Sequence, residues 1–198
     1  MVRIGLIVVQ GDVAEHRHAL QKTLVEREEE GEIIEIRKKG IIESCDAIVI
    51  PGGESTTIGK LLEKEGIASE IKKAAEEGKP IMGTCAGLVL LAKGGDGDVA
   101  KAKQRLLEVM DVKVKRNAFG RQRESFECDL KMSIFDNPFH AVFIRAPAII
   151  QVSNNVRVLA ELENYIVAAE QGNILALAFH PELTEDTRIH HYFLDKIR

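Results

Sequence analysis

The chain has 198 residues and a mass of 21.9 kDa, a length that suits one globular domain burying about 70% of its unfolded surface. It carries 27 Lys and Arg against 31 Asp and Glu, a formal net charge of −4, which argues against nucleic acid as the main partner. No apolar run approaches the roughly 20 residues that span a bilayer, and the first residues are wrongly flanked for a signal peptide. We therefore expect a single cytoplasmic domain over residues 1–198, without membrane association.

Strand and helix patterns alternate through the first 92 residues. Short runs rich in β-branched residues predict strands at 3–9, 32–37, 46–50 and 80–85. Helical spacing predicts helices at 13–30, with Asp12 as N-cap, at 57–66, at 67–78 and, briefly, at 86–92. This order predicts an α/β fold, a three-layer sandwich with a mainly parallel central sheet and helices on both faces.

The second half has a different pattern. Its segments alternate apolar and polar residues and predict strands that extend the core sheet in antiparallel fashion, at 110–116, 125–132, 140–147, 156–162 and 165–179. The helical spacing of apolar residues in 185–197 predicts a terminal helix. The glycine-rich segment 93–98 lacks the ending of a phosphate loop, and we predict an exposed flexible loop there.

One of the three cysteines stands in an unusual setting. Cys45 and Cys128 are interpreted as small buried apolar residues, since the spacing fits neither a disulfide framework nor a zinc site. Cys85 lies between Gly83 and Gly87 at a predicted strand-to-helix junction. This matches the nucleophile elbow, in which a tight turn leaves no room for side chains two positions before and after the nucleophile. A tight turn with an incidental cysteine is the alternative.

A base for such a thiol is offered by His180. It follows an apolar strand, and Glu182 follows two positions later. Residues i and i+2 of an extended segment project to the same side, so Glu182 is expected to orient the imidazole, with Pro181 holding the backbone between them. A structural histidine at a strand end is the alternative.

The segment Pro51-Gly52-Gly53-Glu54-Ser55 ends a core strand just before a helix. Backbone N–H groups at glycines are unobstructed, so the segment could stabilise an oxyanion. A plain β-turn is the other interpretation.

Two further groups of polar residues have no clear role in the sequence. Cations around Phe119 and Gly120 could hold a carboxylate. The remaining histidines lack ligand spacing and are interpreted as surface or core residues, namely His16, His18, His140, His190 and His191.

The motifs "PGGES", "GTCAG" and "FHPE", in this order, resemble those of the class I glutamine amidotransferases, whose Cys-His-Glu triads release ammonia from glutamine. Within that class, "VVQGDVAEH", "PGGESTTI", "RNAFGRQRESFE" and "FIRAP" are similar to the glutaminase subunits of pyridoxal 5′-phosphate synthase, over residues 8–183. The resemblance implies a cytoplasmic enzyme of vitamin B6 biosynthesis that hydrolyses L-glutamine through a cysteine thioester and needs no cofactor or metal.

The resemblance also assigns roles to residues. It implies Cys85 as nucleophile, His180 as general base and acid, and Glu182 as the partner of His180. For glutamine binding it implies Gly53, Glu54, Ser55, Arg116, Ile144 and Arg145. For the oxyanion, the motifs together with the elbow indicate Gln10, Gly11, Gly52, Gly53 and Ala86.

The partner that the resemblance implies is a (β/α)8-barrel synthase subunit, bound in a hetero-oligomer, which receives the ammonia. Two alternatives stay open. One is the glutaminase subunit of another biosynthetic amidotransferase, such as imidazole glycerol phosphate synthase. The other is a catalytically idle regulatory module with the same fold, although such modules commonly lose one of the three triad residues. A thiol peptidase or chaperone would give no reason for "GGES" and "IRAP".

Overall fold

A computed structural model describes residues 1–11, 13–120 and 124–197. The predicted N-cap, Asp12, lies outside the described residues, as do Arg121 and Arg123, two of the cations near Phe119.

The first half alternates strands and helices as predicted. The strands are β1 (Val2–Ile7), β2 (Gly31–Ile36), β3 (Ala47–Ile50) and β4 (Ile81–Thr84), and the helices are α1 (Val13–Glu26), α2 (Ser55–Lys64), α3 (Ile67–Glu76) and α4 (Ala86–Leu91). Gly66 and Gly78 have φ of 72° and 75°, the left-handed conformation that glycine adopts at helix ends without steric cost.

The segment after α4 differs from the predicted flexible loop. Residues 93–98 are shared between a short strand, β5 (Ala92–Gly95), and a short helix, α5 (Gly97–Lys101). Asp96 caps this helix through its carboxylate, which accepts from the N–H groups of Asp98 and Val99. The prediction of a loop was wrong because the segment pairs with a strand distant in sequence, which composition does not show.

The second half contains seven strands and a final helix. These are β6 (Met110–Lys115), β7 (Ser125–Leu130), β8 (Phe139–Ile144), β9 (Ala148–Val152), β10 (Arg157–Leu162), β11 (Tyr165–Gln171), β12 (Ile174–Leu177) and α6 (Arg188–Leu194). Strand β9 was not predicted. The pair β7–β8 forms a separate antiparallel hairpin, so that part of the predicted extension of the core sheet was wrong.

The large sheet has the order β2-β1-β3-β4-β12-β11-β9-β6-β5, with β10 on β11. Its strands from β2 to β12 are all parallel, whereas β11, β9, β6 and β10 add antiparallel neighbours. Helices cover both faces of this sheet, with α1 packed on α6 and α2 on α3 and α4. The predicted fold class is confirmed.

Two registers in the sheet determine where the conspicuous motifs lie. Ile50 of β3 is opposite Gly83 of β4, and Leu177 of β12 is opposite Thr84 of β4. Because these strands are parallel, their carboxyl ends meet at one edge, where ligands of open α/β sheets bind. The segments after β3, β4 and β12 therefore leave the sheet side by side.

In the part of the chain that is described, none of the helices has both the length and the apolarity that crossing a membrane requires.

Candidate active site

The turn at Cys85 has the conformation of a nucleophile elbow. Cys85 has φ 50° and ψ −103°, a sparsely populated backbone region that persists only when the surroundings enforce it. Its N–H donates to the carbonyl of Leu177 at 2.8 Å, which ties the turn to β12. The residue is 9% exposed, and its sulfur lies 3.9 Å from the carbonyl oxygen of Ile144.

Both flanking glycines are required by close backbone approach. A Cβ on Gly83 would stand 2.7 Å from the carbonyl carbon of Gly87, and a Cβ on Gly87 would stand 2.2 Å from the carbonyl oxygen of Ile50. Side chains at these positions would displace α4 from β3 and β4, so the two glycines permit the elbow to pack against the sheet.

His180 and Glu182 meet as predicted, although the backbone between them is not extended. Pro181–Leu183 is a single turn of 3-10 helix, and the His180 N–H donates to the carbonyl of Val142 in β8 at 2.9 Å. Nδ1 of His180 lies 2.7 Å from Oε1 of Glu182. The contact therefore depends on the turn and on the hairpin, not on the period-two alternation of a strand.

Hydrogen bonds link Cys85, His180 and Glu182 in a chain. His180 and Glu182 are buried, and His180 also forms a hydrogen bond with the Cys85 side chain. Since Nδ1 faces the carboxylate, Nε2 is the ring nitrogen left for the sulfur. The sequence predicted this convergence, and the structure places the three side chains together.

The contacts among Cys85, His180 and Glu182 favour a charged imidazole on His180. Burial alone would lower the pKa of His180, but the hydrogen bonds to Cys85 and Glu182 and the charge of Glu182 outweigh burial and raise it to about 10. Burial would raise the pKa of Glu182, but His16 and His180 hold it well below its usual range. The carboxylate and the sulfur therefore both favour the imidazolium form of His180.

A cavity of about 490 Å³ opens in front of the sulfur. It is lined by 14 residues: Gln10, Gly11, Gly53, Glu54, Ser55, Cys85, Ala86, Val89, Arg116, Asn117, Ile144, Arg145, Pro147 and His180. Every residue that the sequence indicated for the site is in this lining except two. Glu182 contacts the side of His180 that faces away from the cavity. The carbonyl oxygen of Gly52 approaches Gly11 so closely that a Cβ on Gly11 would stand 1.9 Å from that oxygen.

The segment before α2 is built around one carboxylate. Glu54 caps α2, accepting from the N–H groups of Thr56 and Thr57 at 3.0 and 2.7 Å. These bonds, together with that from the Thr57 hydroxyl, lower its pKa to about 2 against the opposing effect of burial. Arg116 stands beside it, with Nη2 3.3 Å from Oε1 of Glu54, so the cavity contains a fixed anion next to a cation.

The two glycine-containing loops are interlocked. Oε1 of Gln10 accepts from the N–H of Glu54 at 3.0 Å, and Gly11 and Gly53 have φ of 116° and 142°, a region open to glycine and rarely to other residues. In this conformation the Glu54 N–H is engaged by Gln10.

Two contributors to the site were not predicted from the sequence. Gln104 accepts from the Ser55 hydroxyl at 2.8 Å and donates to the Ser55 carbonyl at 2.9 Å, fixing a residue of the cavity wall. His16, on α1, lies completely buried against Glu182 and Thr84. Nothing in the sequence pattern indicated a role for Gln104. His16 lies five residues after Gly11, but that spacing alone does not predict a contact with Glu182.

The fold and the site define a class of protein. Residues 6–198 match the model of the SNO glutamine amidotransferase family, and the chain belongs to that family. A solved glutamine amidotransferase superposes with a TM-score of 0.88 at 46% identity, covering 98% of each chain. A structure of PurLQS from Thermotoga maritima, at 18% identity and a TM-score of 0.71, shares the fold.

The more particular likeness is to pyridoxal 5′-phosphate synthase subunits PdxT. The chain is 60% identical to that of Methanosarcina mazei, over 99% of this chain and 98% of the relative. It is 51% identical to that of Pyrococcus furiosus over the full length of both. The family resemblance predicted from the motifs is confirmed.

Proposed function

We propose that Cys85, His180 and Glu182 form the catalytic triad of a glutaminase, within one domain over residues 1–198. The chain is a glutamine amidotransferase, and its full-length likeness to pyridoxal 5′-phosphate synthase subunits makes it the subunit that supplies that synthase with ammonia. The observation that carries the residue assignment is the hydrogen-bonded chain from the Cys85 sulfur through His180 to Glu182 at the wall of the cavity.

The reaction begins when the Cys85 sulfur, having passed its proton to His180, attacks the side-chain amide carbon of glutamine. The tetrahedral intermediate carries a negative oxygen, which needs preorganised donors. His180 then gives its proton to the departing nitrogen, which leaves as ammonia, and a γ-glutamyl thioester remains. Water attacks the thioester with His180 as base, and glutamate is released. Glu182 stays ionised throughout and orients the imidazole.

Backbone groups at Ala86, Gly53, Gly52 and the Gln10–Gly11 loop are the proposed oxyanion donors. Support comes from position: Ala86 follows the nucleophile, and Gly53, Gln10 and Gly11 line the same cavity. The side chain of Gln10 ties this loop to the N–H of Glu54, and we propose that binding of the synthase subunit rearranges the loop so that its N–H groups face the oxyanion. Activity of the isolated chain is then low.

Glutamine itself is proposed to bind along the wall formed by Gly53, Glu54, Ser55 and Arg116 on one side and Ile144 and Arg145 on the other. An arginine matches the planar α-carboxylate of glutamine, and Glu54, ionised at neutral pH, matches its α-ammonium group. The Ile144 carbonyl already faces the sulfur, so the reacting amide would lie between that carbonyl and the elbow.

The partner is proposed to be a (β/α)8-barrel synthase subunit in a hetero-oligomer, as the sequence resemblance implies. This is supported by the similar proteins of Methanosarcina mazei and Pyrococcus furiosus, each of which is a subunit of a pyridoxal 5′-phosphate synthase. We also propose a cytoplasmic location. Its support is that Cys45 and Cys85 are free thiols, as is usual in a reducing compartment.

The test is ammonia release from glutamine, measured with and without the synthase subunit. We expect stimulation by the partner and a loss of about a thousandfold or more in Cys85→Ala. Cys128→Ala serves as the matched control, because Cys128 lies on the hairpin strand β7 outside the cavity lining, and it should retain full activity. Undiminished release by Cys85→Ala would refute the proposal.

A further inference from the structure

His16 connects the proposed triad to α1. Its side chain is completely buried, and its Nε2 lies 3.3 Å from Oε1 of Glu182 and 3.0 Å from the hydroxyl of Thr84. Thr84 is the residue immediately before the nucleophile. A single ring nitrogen therefore contacts both the carboxylate that orients His180 and the strand that presents Cys85.

The charge of Glu182 determines which ring nitrogen of His16 carries hydrogen. If Nε2 were unprotonated, its lone pair would face a carboxylate oxygen inside the protein, which is repulsive. With hydrogen on Nε2, the same contact becomes a charge-assisted donation to Oε1, shared with the Thr84 oxygen. Nδ1 has no hydrogen-bond partner among the described residues, which is consistent with its being the bare nitrogen of that tautomer.

Glu182 is held mainly by histidines. Its Oε1 faces Nδ1 of His180 at 2.7 Å and Nε2 of His16 at 3.3 Å, while Oε2 has no partner among the described residues. A carboxylate on a completely buried side chain depends on such donors to remain ionised and fixed. Without His16, His180 would be the remaining side-chain donor near Oε1, and the carboxylate could rotate.

We propose that His16 is a positioning residue for the glutaminase reaction, holding Glu182 in the orientation that aligns His180 with Cys85. The proposal rests on the triad proposed above and adds a fourth member to it, from the opposite end of the chain. His16 does not touch the cavity, so it acts through Glu182 and not on glutamine.

The test uses a pair of substitutions of similar length, His16→Gln and His16→Met, in the chain assembled with its synthase subunit. Both residues are unbranched good helix formers, and they differ in whether the side chain ends in an N–H donor. Thr23→Val, a buried polar deletion two turns further along α1, controls for destabilisation of the helix. Ammonia release is measured over glutamine concentration, and melting temperatures are recorded for all variants.

We expect His16→Met to lose about tenfold or more in kcat with little change in KM, His16→Gln to recover most of that loss, and Thr23→Val to equal the wild type. Equal activity of all three variants, equal losses in Gln and Met, or a change confined to KM would each overturn the proposal. If Cys85→Ala were fully active, the proposed triad would fail as a whole, whereas a failure at His16 alone would leave the triad standing.

Discussion

The α-carbon of Gly87 faces the carbonyl oxygen of Ile50 so closely that a methyl group there would stand 2.2 Å from it. This contact sets α4 against the end of β3 and thereby places the Cys85 elbow beside the segment that follows β3. The position of the nucleophile relative to Gly53 and Glu54 is consequently a matter of backbone packing, not of loop flexibility.

Gly87→Ala should therefore lower both stability and activity. The methyl group would force α4 away from β3, at a cost of about 1–3 kcal/mol, and would move the sulfur relative to the cavity wall. Chemical denaturation and ammonia release measure the two effects. Gly97→Ala is the matched control, because a Cβ at Gly97 meets nothing within 4 Å, and it should leave both quantities unchanged. Wild-type activity in Gly87→Ala would contradict the packing argument.

Glu182→Gln should impair the chemical step. Without the carboxylate, His180 loses the hydrogen bond and the negative charge of Glu182, so the pKa of its imidazole falls from about 10. We expect kcat to drop by about 10²–10⁴, as when other triads lose their acidic member, and alkylation of Cys85 by iodoacetamide to acquire a shifted pH profile. Glu185→Gln removes a glutamate that is exposed and paired with Lys22, and it should behave as the wild type. Equal kinetics for the two variants would remove Glu182 from the triad.

Arg116→Gln should weaken glutamine binding more than the chemistry. Arg116 lies beside Glu54 in the cavity wall, and loss of a charge-assisted contact with the α-carboxylate should raise KM about tenfold or more. Steady-state kinetics separate KM from kcat. Arg105→Gln removes an arginine paired with Glu63 on the surface and should change neither constant. An unchanged KM in Arg116→Gln would place the α-carboxylate elsewhere.

His190 should make the protein sensitive to acid. It is completely buried on α6, and this burial lowers its pKa to about 3. The unfolded chain binds a proton at this residue below about pH 6.5 and the folded chain does not, so stability falls as pH decreases from 6.5 toward 3.

The expected slope is about 1.4 kcal/mol per pH unit from this one residue. Chemical denaturation at pH 7 and pH 5 should show a smaller loss of stability in His190→Phe than in the wild type. Parallel losses in the two proteins would assign the acid sensitivity to other groups.

Strand and helix patterns were sufficient to predict the first half of the fold. In that half, the parallel strands are short segments rich in apolar residues and helices end at glycines such as Gly66 and Gly78, so local signals and tertiary structure agree. The second half was predicted less well because its pairing is decided at long range. Strand β5 forms by pairing with β6, and the hairpin β7–β8 separates from the main sheet.

Like the fold, the candidate site was predicted from the sequence only in part. Motif spacing led to Cys85, His180 and Glu182, because each follows a strand whose carboxyl end the topology brings to one edge. His16 was assigned no role, since its contact with Glu182 depends on how α1 packs over the turn after β12, which no local pattern encodes. The turn at Pro181 also differed from expectation: proline there begins a 3-10 turn instead of stiffening an extended strand.

The central claim, that Cys85 is the nucleophile toward glutamine, is tested most directly by covalent trapping. A glutamine analogue bearing an electrophilic diazoketone is incubated with the chain and its synthase subunit, and the modified peptide is identified by mass spectrometry. We predict one adduct, on Cys85, formed far more slowly in His180→Asn, with Cys45 and Cys128 as internal controls that stay unmodified. Labelling of either control cysteine in preference to Cys85, or no adduct at all, would contradict the account.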